Sequence, residues 1–157
     1  MPTREEKERY LGQAIACAIA GAKAGQGGPF GAVVVKDGVV IAEACNHVLA
    51  KNDPTAHAEV EAIRAACAKL GSFQLDGCDV YASCEPCPMC LGALFWARPR
   101  AVYFAATRTD AAGAGFDDAR FYDELIEAKR LPREQVTVPD AALPFSIYAG
   151  ITGKVAY

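Results

Sequence analysis

The chain has 157 residues, of which 52% are hydrophobic and 9% aromatic, and its formal net charge is −3 at pH 7. This length suits a single well-cored domain over residues 1–157 and is too short for two ordinary ones. The acidic balance argues against a surface that neutralises nucleic-acid phosphates or binds anionic lipid, so we expect a small-molecule ligand and neither nucleic acid nor membrane as a partner.

The cysteine content and the first residues predict a cytoplasmic location. Seven cysteines is an odd number, and the segment "MPTREEKERY" is polar and charged, unlike a secretory leader. The longest apolar run near it, "AIACAIAGA", is interrupted by Lys23 well short of the roughly 20 residues that span a bilayer. We therefore expect reduced thiols and no membrane span.

The predicted elements begin with a helix and a hairpin. Thr3 and Glu6 form a capping-box pattern, and apolar residues at helical spacing follow until "AGQGG". Two β-branched runs, at 32–36 and 39–45, flank a tight-turn signal at "KDG". These runs predict an antiparallel pair of strands.

The rest of the chain alternates between helix and strand patterns. The predicted elements are a helix over about 55–70, a strand over 78–83, a helix over about 88–97, a strand over 101–106, a helix over about 117–130 and a strand over 135–139. Such alternation is typical of a largely parallel sheet covered by helices on both faces. The predicted fold class is therefore α/β, a three-layer α/β/α sandwich whose five-stranded mixed sheet has one antiparallel edge.

The helix predicted from about residue 55 carries two polar residues on its apolar face. Its core-facing stripe consists of Val60, Ile63, Cys67 and Leu70. His57 lies three residues before Val60, and Glu59 lies four residues before Ile63, so both fall on that stripe. An imidazole and a carboxylate in apolar positions indicate a functional site at the start of this helix.

The segment "CEPCPMC" at 84–90 carries a second set of ligand-type residues. Cys87 and Cys90 are three positions apart and would face one side of the first turn of the next helix. In a parallel sheet, the helix N-termini that follow the strands lie along one edge, where such sheets bind their ligands. His57 can therefore meet both cysteines despite their separation in sequence.

One histidine and two cysteines form a suitable ligand set for zinc, which is held tetrahedrally with a fourth position open to water in catalytic sites. Two helix N-termini aimed at the site would favour the thiolate forms of the cysteines. Glu59, two residues from His57, would hold that water and move its protons.

For the histidine and for the cysteine pair, a structural interpretation stays open beside the catalytic one. A lone inward histidine is often a hydrogen-bonded core residue, and a lone CxxC is often redox-active or merely buried. A sharper rival is a closed structural zinc site with Cys84 as the fourth ligand, although Pro86 separates Cys84 from the helix and a glutamate beside the metal has no purpose there. The remaining thiols fit core positions of helices and strands: Cys17, Cys45, Cys67 and Cys78.

Four stretches carry a resemblance to a known family: "GPFGAVVVKDG", "NDPTAHAEVEAI", "CEPCPMCLGALFWARP" and "GFDD". They include the HxE and PCxxC signature of zinc deaminases. Over almost its whole length the chain is similar to the cytidine-deaminase-like superfamily and, within it, to the bacterial guanine deaminases. The resemblance implies Zn²⁺ as the cofactor, with His57, Cys87 and Cys90 as its ligands and Glu59 as the catalytic proton shuttle.

The implied reaction is hydrolytic deamination of guanine to xanthine and ammonia, in which zinc-bound hydroxide attacks C2. The zinc signature is shared by cytidine, cytosine and tRNA-adenosine deaminases. Guanosine, cytosine, a triazine or adenosine in tRNA are therefore alternative substrates. Outside the enzymes, the alternative is a non-catalytic zinc-stabilised interaction domain.

By resemblance alone, five residues would bind the base. Asn46 would hydrogen-bond the purine, Phe30 and Trp96 would wall the pocket, and Asp118 with Tyr157 would recognise guanine. Four of these residues also have a purely structural interpretation. Asn46 could be a turn residue at a strand end, Asp118 a helix cap, and Phe30 and Trp96 ordinary core residues.

The resemblance also implies a homodimer in which the C-terminal segment 141–157 is exchanged between subunits and closes the partner's active site, so that Tyr157 acts across the interface. The sequence departs from the family at this segment. Relatives have a helix-forming tail, whereas this chain has four residues of low helix propensity: Gly150, Ile151, Thr152 and Gly153.

Overall fold

The computed structural model describes residues 1–127 and the single positions 143, 147 and 152. Residues 1–127 form four strands: β1 (Gly31–Lys36), β2 (Val39–Cys45), β3 (Cys78–Cys84) and β4 (Ala101–Ala106). They also form six helices: α1 (Arg4–Lys23), α2 (Val48–Lys51), α3 (Ala58–Leu70), α4 (Pro88–Ala97), α5 (Arg108–Gly113) and α6 (Asp118–Glu127).

Most predicted elements are confirmed. The α1 helix begins at a capping box in which Thr3 and Glu6 bond each other's backbone, and the β1–β2 hairpin turns at Asp37 and Gly38, both with positive φ. The short helices α2 and α5 were not predicted, because four and six residues are too few to show a periodic pattern. The predicted strand 135–139 lies outside the described residues.

The described strands form a mixed sheet in the order β2-β1-β3-β4. The β1 strand pairs antiparallel with both β2 and β3, and β3 pairs parallel with β4. The predicted mixed sheet and its antiparallel edge at β2 are confirmed, but the prediction of largely parallel pairing is wrong for these four strands, since two of their three pairings are antiparallel. A hairpin turn fixes which strands pair but not the side on which a later strand adds, and here β3 adds beside β1.

Helices cover both faces of this sheet, so residues 1–127 form three layers. On one face, Tyr10 and Ala14 of α1 pack against Val33, Val35 and Tyr81. On the other face, the α3 and α4 helices pack against the alternate strand positions, in a cluster that includes Ala32, Val34, Ala62, Val80 and Leu94. The alternation of Val33 and Val34 between the two clusters is the period-two pattern of a strand buried on both faces.

This topology sets the place of the ligand-type residues. Because β2 and β3 are both antiparallel to β1, they run in the same direction, and their carboxyl ends meet at one edge of the sheet. The α3 helix follows β2, through the short α2, and α4 follows β3. The N-termini of α3 and α4 therefore lie together at that edge. Across residues 1–127, no helix combines the length and apolar character that crossing a bilayer requires.

Candidate metal centre and substrate pocket

Two helix N-termini present the candidate ligands. His57 is the residue that precedes α3, and Cys87 is the residue that precedes α4; both have extended backbone conformations, and neither side chain caps its own helix. Cys90 lies in the first turn of α4 and is fully buried. The backbone therefore directs three ligand-type side chains into the space between the two helix starts.

These three side chains converge on one point. Nδ1 of His57 lies 3.6 Å from Sγ of Cys87 and 3.5 Å from Sγ of Cys90. Their ligand atoms all lie within 4.8 Å of one another. Around an ideal tetrahedral zinc, the bonds are about 2.3 Å to sulfur and about 2.0 Å to nitrogen, so a nitrogen ligand and a sulfur ligand lie about 3.5 Å apart. The distances fit a zinc ion held by one nitrogen and two sulfurs.

The carboxylate of Glu59 completes the cluster. It is 7% exposed, and its Oε2 accepts a hydrogen bond from the Cys90 thiol over 3.4 Å. Burial raises the pKa of Glu59 to about 7, against smaller opposing effects of its backbone hydrogen bond and of His57. Glu59 therefore lies among the ligand atoms without being needed as a ligand.

The two cysteine thiols shift each other's pKa. Interaction with Cys90 lowers the pKa of Cys87 to about 4, with His57 adding to the effect against the cost of burial. The same interaction, together with burial, raises the pKa of Cys90 above its usual range. One thiolate is thus already favoured, and a bound dication would displace the remaining proton because metal ligands bind in their deprotonated forms.

A pocket of about 530 Å³ opens onto this cluster, and His57, Glu59 and Cys87 form part of its wall. Asn46 and Phe30 line it as well. The volume falls within the range of ligand pockets. A planar base can therefore approach the candidate ligands and the Glu59 carboxylate together.

Asn46 is buried at the end of β2, and its Oδ1 accepts two backbone hydrogen bonds, from N–H of Val48 over 3.0 Å and from N–H of Gly28 over 3.3 Å. Two donors identify this atom as the oxygen. Among the described residues, none forms a hydrogen bond with Nδ2 of Asn46. The side-chain amide therefore has a fixed orientation, with its NH₂ group as the donor that a ligand can use.

The profile of the cytidine and deoxycytidylate deaminase zinc-binding region matches residues 4–106, which include the three converging side chains and Glu59. This chain belongs to that zinc deaminase family. Membership in this family agrees with the structure, because the spacing of His57, Cys87 and Cys90 fits a zinc ion.

The similar proteins differ in how much of this chain they match. Guanine deaminase of Bacillus subtilis (strain 168) is 54% identical over 96% of this chain and 98% of its own length. The X-ray structure of guanine deaminase from Bacillus subtilis has a TM-score of 0.92, at 54% identity over 96% of this chain and 98% of that one. The tRNA-specific adenosine deaminase of Agrobacterium fabrum (strain C58 / ATCC 33970) is 45% identical over 61% of this chain and 62% of its own length.

A second solved structure, of guanine deaminase from Nitrosomonas europaea, is 33% identical over 82% of this chain and 67% of that one, with a TM-score of 0.67. The similarity to guanine deaminases thus reaches beyond the zinc-binding region. The similarity to the tRNA deaminase covers a smaller share of both chains.

Of the other three substrate-binding residues expected from the resemblance, only Trp96 has a described side chain. Trp96 lies near the end of α4, is 64% exposed, and is absent from the described pocket wall, because it is about two turns along the helix from the metal ligands. Asp118 begins α6, but its side chain is outside the described part of the structure. Tyr157 lies outside it altogether.

The rival structural zinc site loses its fourth ligand. The thiol of Cys84 donates to the carbonyl oxygen of Thr107 over 3.4 Å, and Cys84 does not belong to the group of converging ligand atoms. Within residues 1–127, three side chains of this group are therefore available to a metal, the number that leaves a coordination position open.

Sequence reasoning missed three features of the pocket. Phe116 lines it and packs edge-to-face on Phe30, with ring centroids 4.8 Å apart. Glu85, from the same "CEPC" segment as the ligands, also lines it. Gly27 leaves room for Asn46, since a Cβ there would lie 2.1 Å from Oδ1. The glycines of "GQGGPFG" were the available signal for this last close approach.

Proposed function

We propose that this protein is a zinc-dependent guanine deaminase that hydrolyses guanine to xanthine and ammonia. The observation that carries the proposal is the buried carboxylate of Glu59 beside three converging ligand atoms at the wall of an open pocket. The similarity to guanine deaminase over nearly the whole chain supports guanine as the base.

In this proposal, His57, Cys87 and Cys90 hold the metal. A bound zinc supplies a water ligand whose pKa is lowered to near neutrality. The spacing of the imidazole and thiol atoms suits that metal, and the two helix N-termini stabilise the negative charge of the thiolates. A fourth protein ligand is not required.

Glu59 moves the protons of the reaction. Its carboxylate accepts the proton of the attacking water and delivers it to the ring nitrogen next to C2. It then takes the proton of the new C2 hydroxyl and delivers it to the exocyclic amine, which leaves as ammonia as the C2 carbonyl of xanthine forms. The carboxylate can serve both steps because α3 fixes it in a buried position beside the ligand atoms, within reach of a base bound in the pocket.

Asn46 and the aromatic wall orient the base. The Asn46 amide, fixed by the two backbone N–H groups, donates from Nδ2 to an acceptor on the purine. Phe30 packs against one side of the base, supported by the edge of Phe116. Recognition of guanine by Asp118 and Tyr157 stays a prediction from the resemblance.

The functional unit in this proposal is a homodimer in the cytoplasm, with residues 141–157 exchanged between subunits. The seven cysteines, all within the described residues, form no disulfide with one another, which suits a reducing compartment. Phe95 and Trp96 are 74% and 64% exposed on α4, an apolar surface of the kind that subunit contacts cover.

A substrate panel tests the function. The purified protein is incubated with guanine, guanosine, adenine, cytosine, cytidine and a tRNA anticodon stem-loop, and ammonia release is followed. We expect release from guanine, with xanthine as the second product, and loss of this activity when a chelator removes zinc. Activity on another substrate without activity on guanine would overturn the proposal, and a zinc-containing protein that deaminates nothing would identify an interaction domain.

A further inference from the structure

Residues 85–87, the ligand loop, connect β3 to α4 and carry Cys87. The loop has few means of holding itself in place, because the prolines at 86 and 88 lack N–H groups and flank the cysteine on both sides. Pro86 and Cys87 are nevertheless buried. Restraints on the loop must therefore come from other parts of the chain.

One restraint comes from α6. The hydroxyl of Tyr122 donates to the carbonyl oxygen of Pro86 over 2.6 Å, across 36 positions of sequence. This carbonyl belongs to the peptide bond that leads into Cys87. The Tyr122 ring itself is covered by the Arg108 guanidinium, whose carbon lies 4.5 Å from the ring centroid.

A second restraint comes from the start of α5. The backbone N–H of Arg108 donates to Oε2 of Glu85 over 3.1 Å, and the Arg108 guanidinium lies 3.8 Å from Oε1. The backbone N–H of Glu85 in turn donates to the carbonyl oxygen of Ala106 over 2.8 Å. Arg108 thus contacts both the loop and the tyrosine that holds it.

We infer that Tyr122 and Arg108 are positioning residues for the metal centre. They hold the ligand loop so that Cys87 reaches the same point as Cys90 and His57. This inference rests on the proposed role of these three residues as zinc ligands. Groups that orient ligands from outside the coordination shell commonly control metal affinity.

The test compares two tyrosine hydroxyls that make the same kind of bond. Tyr122→Phe removes the hydrogen bond to Pro86 and keeps the ring beneath Arg108. Tyr10→Phe removes a hydrogen bond of 2.7 Å to the carbonyl oxygen of Gly38, in the β1–β2 turn, and also the hydrogen bond of 2.6 Å that this hydroxyl accepts from Arg9. Zinc affinity is measured for each full-length protein by competition with a chromophoric chelator, without substrate.

We expect Tyr122→Phe to weaken zinc binding by about 2- to 10-fold, the range that follows from the net contribution of one hydrogen bond. Tyr10→Phe should leave zinc affinity unchanged. In the cobalt-substituted proteins, the visible absorption that reports coordination geometry should change only for Tyr122→Phe. Arg108→Ala should weaken zinc binding in the same direction but by less, because its ion pair with Glu85 is partly exposed and its backbone bond remains.

Unchanged zinc affinity in Tyr122→Phe, or an equal loss in Tyr10→Phe, would overturn the inference, since the second result is what a general loss of stability produces. If Tyr122→Phe does not fold, the Arg108→Ala result decides by the same criterion. Failure of the proposed function is distinguishable: a wild-type protein that binds zinc but does not deaminate guanine leaves the positioning inference standing.

Discussion

At the scale of single residues, Glu59 should separate metal binding from turnover. Glu59→Gln keeps the size of the side chain and removes its ability to carry protons, so zinc content and thermal stability should persist while kcat falls by about 10²- to 10⁴-fold. Ammonia release and zinc stoichiometry are the two measurements. Glu61→Gln on the same helix is the matched control, because that carboxylate pairs with Lys51 and Arg64 and should leave turnover near wild type. Substantial turnover in Glu59→Gln would contradict the mechanism.

Asn46 should show two separable roles. Asn46→Ala leaves the N–H groups of Gly28 and Val48 without their acceptor, which should lower the free energy of unfolding by about 1–3 kcal/mol and also raise KM for guanine. Asn46→Asp keeps the acceptor and loses the amide donor, so stability should be retained while KM rises about 2- to 10-fold or more. Urea denaturation and steady-state kinetics on both variants check this. A wild-type KM in Asn46→Asp would show that the amide donates nothing to the base.

At the scale of elements, local signals predicted most of the fold. The capping box of α1, the "KDG" turn and the positions of His57 and Cys87 at helix starts are written within a few residues of sequence. The interior position of β1 is not local, although its unbroken apolar run, buried along almost its whole length, is typical of a strand covered on both faces. The part of the site formed by loops, such as Phe116, escaped prediction because its position depends on how two helices pack.

The contact between α1 and β1 should depend on one glycine. A Cβ at Gly31 would lie 2.1 Å from the carbonyl oxygen of Ala14 and 2.7 Å from the nitrogen of Ala18, and neither backbone atom can move without shifting α1. Gly31→Ala should therefore lower the free energy of unfolding by about 1–3 kcal/mol or more. Gly12→Ala, at an exposed α1 position with open space around it, should instead raise it by about 0.5–1 kcal/mol. Urea denaturation of both variants distinguishes close packing from helix propensity, and equal stabilities would refute the close approach.

At the scale of the whole molecule, the described chain has an open site and an apolar outer surface on α4. Trp96, expected at the pocket wall from the resemblance, is exposed on that surface together with Phe95. Two such aromatic side chains on one helix favour a subunit contact there, because large exposed apolar patches are uncommon on monomers. The proposed homodimer would cover them, and its exchanged tail would bring Tyr157 to the partner's pocket.

Mixed dimers test the exchanged tail. Glu59→Gln subunits keep Tyr157 but lack the proton shuttle, and Tyr157→Ala subunits keep the shuttle but lack the tyrosine, so each homodimer should be impaired. If Tyr157 acts on the partner's site, a mixed dimer contains one intact site. Unfolding and refolding an equal mixture should then restore about a quarter of wild-type turnover, since about half of the dimers are mixed and one of their two sites is complete. No gain over the separate homodimers would show that the tail serves its own subunit, and full activity in Tyr157→Ala alone would remove the tyrosine from the site.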